Sequence, residues 1–351
     1  MGKDVTVLAV VGAQYGSEGK GVIVNHLAPQ FDVHVRVGGP NAGHTFLYKG
    51  KEYKMRSIPC GWTNPNAVLV IGRGAIVNPA TLKEELELIE RVDPSIRDRL
   101  FVDSDAWCIT PDDVSDEGAA EMQATIGSTL EGVGAARMRR IARSPRADHR
   151  FGLIAKGWGM EPYSHPETAI LLNWYASAGR KVLLEGAQGF GLSLIHGQWP
   201  YVTSADTSAS QLAADCGFGP RAITDVLLVI RTMPIRVGGN SGPLYGEMTW
   251  EQLSKGLGRS VREYTTVTKR LRRIGGWDET LIQEARIING ARYAALTFAD
   301  YLDPLIEGQD SLTGHVKDFI QYLELRHSLD VCYVGTGGPN LTVIERSAPI
   351  W

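Results

Sequence analysis

Four glycines, a glutamate and a lysine crowd into ten residues, Gly12-Ala13-Gln14-Tyr15-Gly16-Ser17-Glu18-Gly19-Lys20-Gly21. Glycines let a chain turn tightly enough to aim several N–H groups at one anion, and a lysine beside them adds a full positive charge. The chemistry this spacing favours is phosphate binding. A continuous apolar run from Val5 to Val11 precedes the loop and reads as a buried strand, and a helix starting at Lys20 would add the partial positive charge of its N-terminus. The loop departs twice from the common form G-x-x-x-x-G-K-[ST]: Gln14 stands where the first glycine belongs, and Gly21 where the Mg²⁺-binding hydroxyl belongs. Any metal here must find other ligands. A glycine turn after a strand can also be no more than a tight connection.

A second loop, Gly38-Gly39-Pro40-Asn41-Ala42-Gly43-His44-Thr45, follows the strand-like Val33 to Val37. It sets a histidine between Asn41 and Thr45 in a turn that lets backbone carbonyls point inward. On its own such a histidine is usually a solvated loop residue.

Together the two loops closely resemble those of the adenylosuccinate synthetase family, and further matches run to the C-terminus. The resemblance implies an α/β fold, a mostly parallel central sheet flanked by helices as in P-loop nucleotide hydrolases, in one domain spanning 1–351. It implies a carbon–nitrogen ligase that uses Mg²⁺ and a nucleoside triphosphate. Lys20, His44 and Gln188 would be catalytic, and Glu18, Gly19, Lys20, Gly21, Gly43, His44 and Thr45 would surround the donor phosphates. One departure stands out. The family carries an aspartate between Gly16 and Glu18, its general base and Mg²⁺ ligand, whereas this chain has Ser17. That replacement resembles the family's bacteriophage branch, whose substrate is dGMP instead of IMP. Ser17 then becomes a catalytic residue that touches both dGMP and the donor, and a hydroxyl ligand to Mg²⁺ beside the Gly43 carbonyl. The expected reaction joins L-aspartate to the 6-position of dGMP through a 6-phosphoryl intermediate. Its products are N6-succino-2-amino-2'-deoxyadenylate, ADP and phosphate, for synthesis of 2-aminoadenine DNA precursors. The alternatives are an ordinary adenylosuccinate synthetase using IMP and GTP, and a nucleotide-binding protein that has lost the chemistry.

The same resemblance assigns the later motifs. Asn41, Gly127, Ser128, Thr129, Gln188, Thr203 and Val237 would line the dGMP site, and Arg143 would reach its phosphate from the neighbouring subunit of a homodimer. Among the basic residues Arg137, Arg139, Arg140, Arg143 and Arg146, most would otherwise form a solvated helix face. The cationic stretch Lys269 to Arg273 resembles the family's aspartate-binding loop, with Arg270 and Arg272 gripping the dicarboxylate and Thr266, Val267 and Thr268 along the approach. Arg272 would also touch the donor. Thr297-Phe298-Ala299-Asp300 stands where GTP-using members carry T-K-L-D. Phe298 replaces the lysine, and an aromatic face stacks on any purine, so ATP or dATP is expected in preference to GTP. Asp300, Gly335, Gly337 and Gly338 would complete the base pocket.

These motifs require strands that end where the loops begin. Val33 to Val37, Ala67 to Ile71, Leu100 to Val102, Lys181 to Glu185, Asp225 to Ile230 and Ala294 to Phe298 read as strands, with helices from Pro79 to Val92 and Pro166 to Ala178 between them. Phe46 to Arg56 reads as a hairpin about Lys49-Gly50. Such alternation is the mark of a doubly wound parallel sheet. With 351 residues, 43% of them hydrophobic, the chain can bury a deep core, and its net charge of −3 argues against a protein that coats nucleic acid. Four widely spaced cysteines form no zinc pattern. No apolar run approaches the length of a membrane span and no secretory leader is evident, so the expectation is a cytoplasmic protein without a membrane partner.

Overall fold

A computed structural model describes residues 6–265, 269–337, 341–346 and 351. Thr266, Val267 and Thr268 of the expected aspartate loop and Gly338 of the base pocket lie outside the described residues.

Ten strands build one sheet: β1 (Val7–Gly12), β2 (Val33–Arg36), β3 (Val68–Ile71), β4 (Leu100–Asp103), β5 (Ser164–His165), β6 (Val182–Glu185), β7 (Asp225–Arg231), β8 (Tyr293–Thr297), β9 (Asp330–Gly335) and β10 (Val343–Glu345). Across the sheet they run β10-β9-β8-β7-β1-β6-β2-β3-β4-β5, and every pairing is parallel except β9 with β10. Val7, Ala9 and Val11 of β1 enter one hydrophobic cluster while Leu8 and Val10 enter another on the opposite face. A strand covered on both faces has no polar side, which is why β1 reads as an unbroken apolar run.

The chain leaves β2 outward through β3, β4 and β5, returns to insert β6 between β1 and β2, and departs on the far side of β1 through β7 and β8. The strand order therefore reverses around β1. The carboxyl ends of β1, β2, β6 and β7 meet there, at the place where open α/β sheets gather ligands. The antiparallel pair His44–Tyr48 and Lys51–Met55 turns at Lys49-Gly50 as the sequence predicts. Asn78 caps the helix Pro79–Glu90, which ends two residues before the expected Val92. The expected strand Ala294 to Phe298 lies one residue earlier, as Tyr293–Thr297, because Phe298 turns into left-handed backbone at φ 55°.

The arginine cluster differs from its expected solvated face. Arg139, on the helix Val133–Ile141, donates to Asp113 at 2.6 Å and lies over Trp107, as does Arg140. Only Arg143 and Arg146 are exposed, both beyond the helix end, and the outward positions fall to Met138 (63% exposed) and Ile141 (74%). The guanidiniums turn inward because an acid and an indole face await them.

β2 buries His34 completely, and Gly61 approaches so closely that a Cβ there would lie 2.1 Å from the ring. Burial disfavours the imidazolium and lowers its pKa from 6.5 to about 4. An unfolded chain takes up this proton near pH 6.5, so the stabilising effect is full above that pH and is lost as pH falls toward 4. Urea unfolding at pH 4.5 should show His34 alone costing about 2–3 kcal/mol relative to pH 7. His34→Leu should flatten the acid limb by that amount; an unchanged limb would refute the assignment.

Candidate active site

The phosphate loop turns through left-handed backbone at Gly16 (φ 82°), Ser17 (φ 59°) and Gly19 (φ 84°) before the helix Lys20–Leu27 begins. Its internal brace is Glu18. One carboxylate oxygen accepts the N–H groups of Gln14 (3.1 Å) and Gly16 (2.8 Å), and the other accepts Lys20 Nζ at 2.6 Å. The Glu18 side chain thus faces into the loop instead of the donor phosphates. A Cβ on Gly12 would come within 2.5 Å of Glu18 Oε2, and one on Gly189 within 2.2 Å of Oε1. Gln14 bonds the loop to β7, donating to the Arg231 carbonyl at 2.9 Å and accepting its N–H at 3.0 Å. Gly21 has a packing reason for lacking a hydroxyl: a Cβ there would meet His44 Cβ at 2.9 Å.

His44 begins the hairpin strand and is anchored to the end of β6. Its Nδ1 lies 2.5 Å from Glu185 Oε1, which also accepts Arg36 Nη1 at 2.9 Å, while Glu185 Oε2 accepts the Cys60 N–H at 2.7 Å. Burial opposes ionisation of Glu185, but Arg36 and His44 outweigh it and hold the carboxyl at about 2. An ionised carboxylate only accepts, so Nδ1 carries the proton and Nε2 is left for the cavity. Burial, with Arg36 beside it, lowers His44 to about 4 and keeps the ring neutral at pH 7.

A cavity of about 200 Å³ gathers Ser17, Lys20, Asn41, Gly43, His44, Gly127, Ser128, Thr129, Gln188, Thr203, Val237 and Arg272 in its walls. Lys20 Nζ reaches the Gln188 carbonyl at 2.5 Å, and Ser17 Oγ accepts from Arg272 Nη1 at 2.5 Å. The other expected residues lie off this wall. Gly19, Gly21 and Thr45 pack behind it, Arg270 is exposed and donates to Gln123 at 2.9 Å, and Arg143 is exposed past its helix. Phe298, Asp300, Gly335 and Gly337 cluster at the ends of β8 and β9. The Phe298 ring does not present two open faces, because the Arg231 guanidinium lies 3.7 Å from its centroid.

Sequence reasoning missed four groups. Glu185 and Arg36 end strands β6 and β2, and nothing beside either one in sequence marks the other as its partner. Arg231 is fully buried, donating to the Ser17 carbonyl at 3.0 Å and to Glu263 at 2.5 Å. Arg236 stacks 3.8 Å over the Tyr15 ring in the cavity wall.

Free ligands for Mg²⁺ are scarce in this wall. Ser17 Oγ and the Gly43 carbonyl are neutral, and Ser17 Oγ already faces a guanidinium. The cavity's two glutamates are engaged: Glu117 accepts the N–H groups of Gly132 and Gly134, and Glu131 pairs with Arg56. His44, Cys60 and Glu185 lie within 4.8 Å of one another, but Arg36 neutralises that carboxylate. Mg²⁺ prefers oxygen ligands and keeps waters, so these residues fit an ion that enters with phosphate oxygens and not a preformed protein cage.

The sequence pattern of the adenylosuccinate synthetases matches residues 9–155 and 159–309, and the chain belongs to that family of carbon–nitrogen ligases. Family members use Mg²⁺ and a nucleoside triphosphate. Relatives include the adenylosuccinate synthetase of Archaeoglobus fulgidus, 38% identical over 343 residues (96% of this chain, 97% of that one). That of Thermococcus sibiricus is 37% identical over 335 residues (93% and 95%). The cyanophage S-2L succinoaminodeoxyadenylate synthetase, solved with dGMP and dATP, superposes with a TM-score of 0.83 at 30% identity over 97% of this chain and 95% of that one. The Plasmodium falciparum adenylosuccinate synthetase, at 24% identity and a TM-score of 0.85 over 97% and 100%, speaks for the fold alone. Among the described residues no helix is long and apolar enough to cross a membrane.

Proposed function

We propose that the protein joins L-aspartate to C6 of dGMP, with ATP or dATP as phosphoryl donor. The observation that carries this reading is Ser17: a small neutral side chain stands in a cavity whose Lys20, His44 and Gln188 are otherwise assembled. A hydroxyl there leaves room for the guanine 2-amino group and offers it an acceptor, which a purine without that group does not need. The phage synthetase that shares the fold at 30% identity, and whose structure holds dGMP and dATP, supports the same choice. The name of the archaeal relatives favours the competing reading, IMP as acceptor.

In the first step the purine 6-oxygen bonds to the γ-phosphorus as the bond to the β-phosphate oxygen breaks, and a phosphate oxygen takes the N1 proton. In the second, the aspartate amine bonds to C6 as the C6–O bond breaks, and the departing phosphate takes the proton that the amine sheds. Lys20 and the helix N-terminus face the charge that shifts between phosphates. Anions arriving beside His44 favour its protonated form, which then donates through Nε2. Mg²⁺, when bound, neutralises phosphate charge. Arg272 serves the aspartate carboxylates, and Arg143, remote from this chain's own cavity, serves the nucleotide phosphate of a partner subunit in a homodimer.

The test is aspartate-dependent phosphate release with Mg²⁺ and ATP, comparing dGMP, GMP and IMP, with product mass determined. Turnover with dGMP is the expected result; turnover with IMP alone would overturn it. Ser17→Asp suits the left-handed backbone, which aspartate tolerates. It should lower kcat/KM for dGMP at least about tenfold. IMP turnover gained with dGMP turnover intact would refute the steric account.

A further inference from the structure

The end of β8 adjoins the phosphate loop directly: Thr297 Oγ1 donates to the Glu18 carbonyl at 2.6 Å, and a Cβ on Gly19 would touch Thr297 at 3.4 Å. A nucleotide whose phosphates rest on this loop can lay its base outside the carboxyl ends of β8 and β9. Three residues beyond β8, Asp300 has a side chain only 6% exposed. Its Oδ2 accepts from Arg259 at 2.5 Å. Its Oδ1 is buried with no hydrogen-bond partner among the described residues, and Gly337 packs so closely that a Cβ there would lie 2.4 Å from it. A buried acceptor left unmet is costly, so this oxygen calls for an N–H from a ligand.

We propose that Arg259 determines which base the phosphoryl donor carries, by occupying one of the two Asp300 oxygens. Guanine presents N1–H and a 2-amino N–H side by side, a pair of donors that matches both oxygens of a free carboxylate. Adenine presents a single donor group, its 6-amino. With Oδ2 held by Arg259, the one remaining oxygen meets adenine's need. Guanine's second N–H would instead face the guanidinium, donor against donor. Arg259 is itself steadied by a second acid, Glu307, whose Oε2 lies 3.5 Å from its Nε. This inference rests on the reading above that a purine nucleoside triphosphate places its phosphates on the loop, and it supplies the reason for ATP or dATP over GTP. The sugar plays no part in it, so ADP and dADP should behave alike at this contact.

The test is calorimetric titration of the diphosphates alone, which requires neither dGMP nor aspartate and so stands or falls separately from the acceptor assignment. Wild-type protein should bind ADP about tenfold or more tighter than GDP, as one charge-assisted hydrogen bond implies. Arg259→Met should bring that ratio close to one, whereas Arg259→Lys, which keeps a donor on Oδ2, should retain most of it. Equal or tighter binding of GDP to the wild type, or an ADP:GDP ratio unmoved by Arg259→Met, would overturn the proposal. A second measurement needs no variant. Purine riboside diphosphate, which lacks the 6-amino group, should bind the wild type about tenfold more weakly than ADP, while adding a 2-amino group to ADP should gain nothing. Purine riboside diphosphate binding as tightly as ADP would equally overturn it.

Discussion

Glu185→Gln is expected to lower the unfolding free energy by about 3–5 kcal/mol at pH 7, the cost of breaking a buried ion pair from one side. Arg36 is 2% exposed and Glu185 fully buried, so the amide would leave a buried guanidinium without its ion-pair partner. Every position around the carboxylate is also a donor: Arg36, His44 and the Cys60 thiol at Oε1, and the Cys60 N–H at Oε2. An amide placed there must turn its own N–H groups against one of them. Urea unfolding of the two proteins is the measurement, and a loss below about 1 kcal/mol would mean that the cluster relaxes around the change. The folded carboxyl titrates at about 2 against 4.5 for an ordinary glutamate. Its stabilising effect is therefore complete above pH 4.5 and fades as pH falls toward 2.

Lys20→Met should cut kcat by about two to three orders of magnitude, the range seen when one preorganised donor to a developing anion is removed. Among the described cavity residues only Lys20, Arg236 and Arg272 carry permanent positive charge. Arg236 is stacked on Tyr15 and Arg272 held by Ser17, whereas Lys20 sits at the start of the helix behind the phosphate loop. Its ammonium is fixed between Glu18 at 2.6 Å and the Gln188 carbonyl at 2.5 Å, so little reorganisation is needed when phosphate arrives. Glu18 would lose its counter-ion in the variant. Turnover must therefore be compared at a temperature where thermal melts show both proteins folded, and a fall of less than about tenfold would remove Lys20 from the chemistry.

The parts that sequence reveals here are those whose physics is local. A run of glycines ending in lysine announces a turn and a charge whatever surrounds it, and His44 announces itself by sitting on a second such turn. The apolar strands are equally plain, because burial on both faces removes most polar residues short of the strand ends, His34 of β2 being an exception. The strand ends are where reading failed. Arg36 and Glu185 end β2 and β6, 149 positions apart in sequence, and only the pairing of those strands brings them together. The arginines of the helix Val133–Ile141 were misread for a related reason: Asp113 and Trp107 lie on separate segments, so nothing near the helix in sequence says that its cations turn inward. Phe298 reads as a free stacking surface until Arg231, 67 residues earlier by position in β7, is found against it.

The Glu18 carboxylate lies where a methyl on either Gly12 or Gly189 would have to go. Gly12 ends β1 and Gly189 follows β6, so one side chain closes positions at the ends of two different strands. Neither can drift singly. A lineage that shortened Glu18 would open position 12, at the cost of the Gln14, Gly16 and Lys20 contacts that the carboxylate maintains, but not position 189, where a Cβ would still lie 2.6 Å from the Gln14 carbonyl oxygen and the Gly16 nitrogen. Variation at position 12 should therefore be inherited together with variation at position 18 while position 189 stays glycine, and a library that randomises any one of the three alone should return mostly the parental residue.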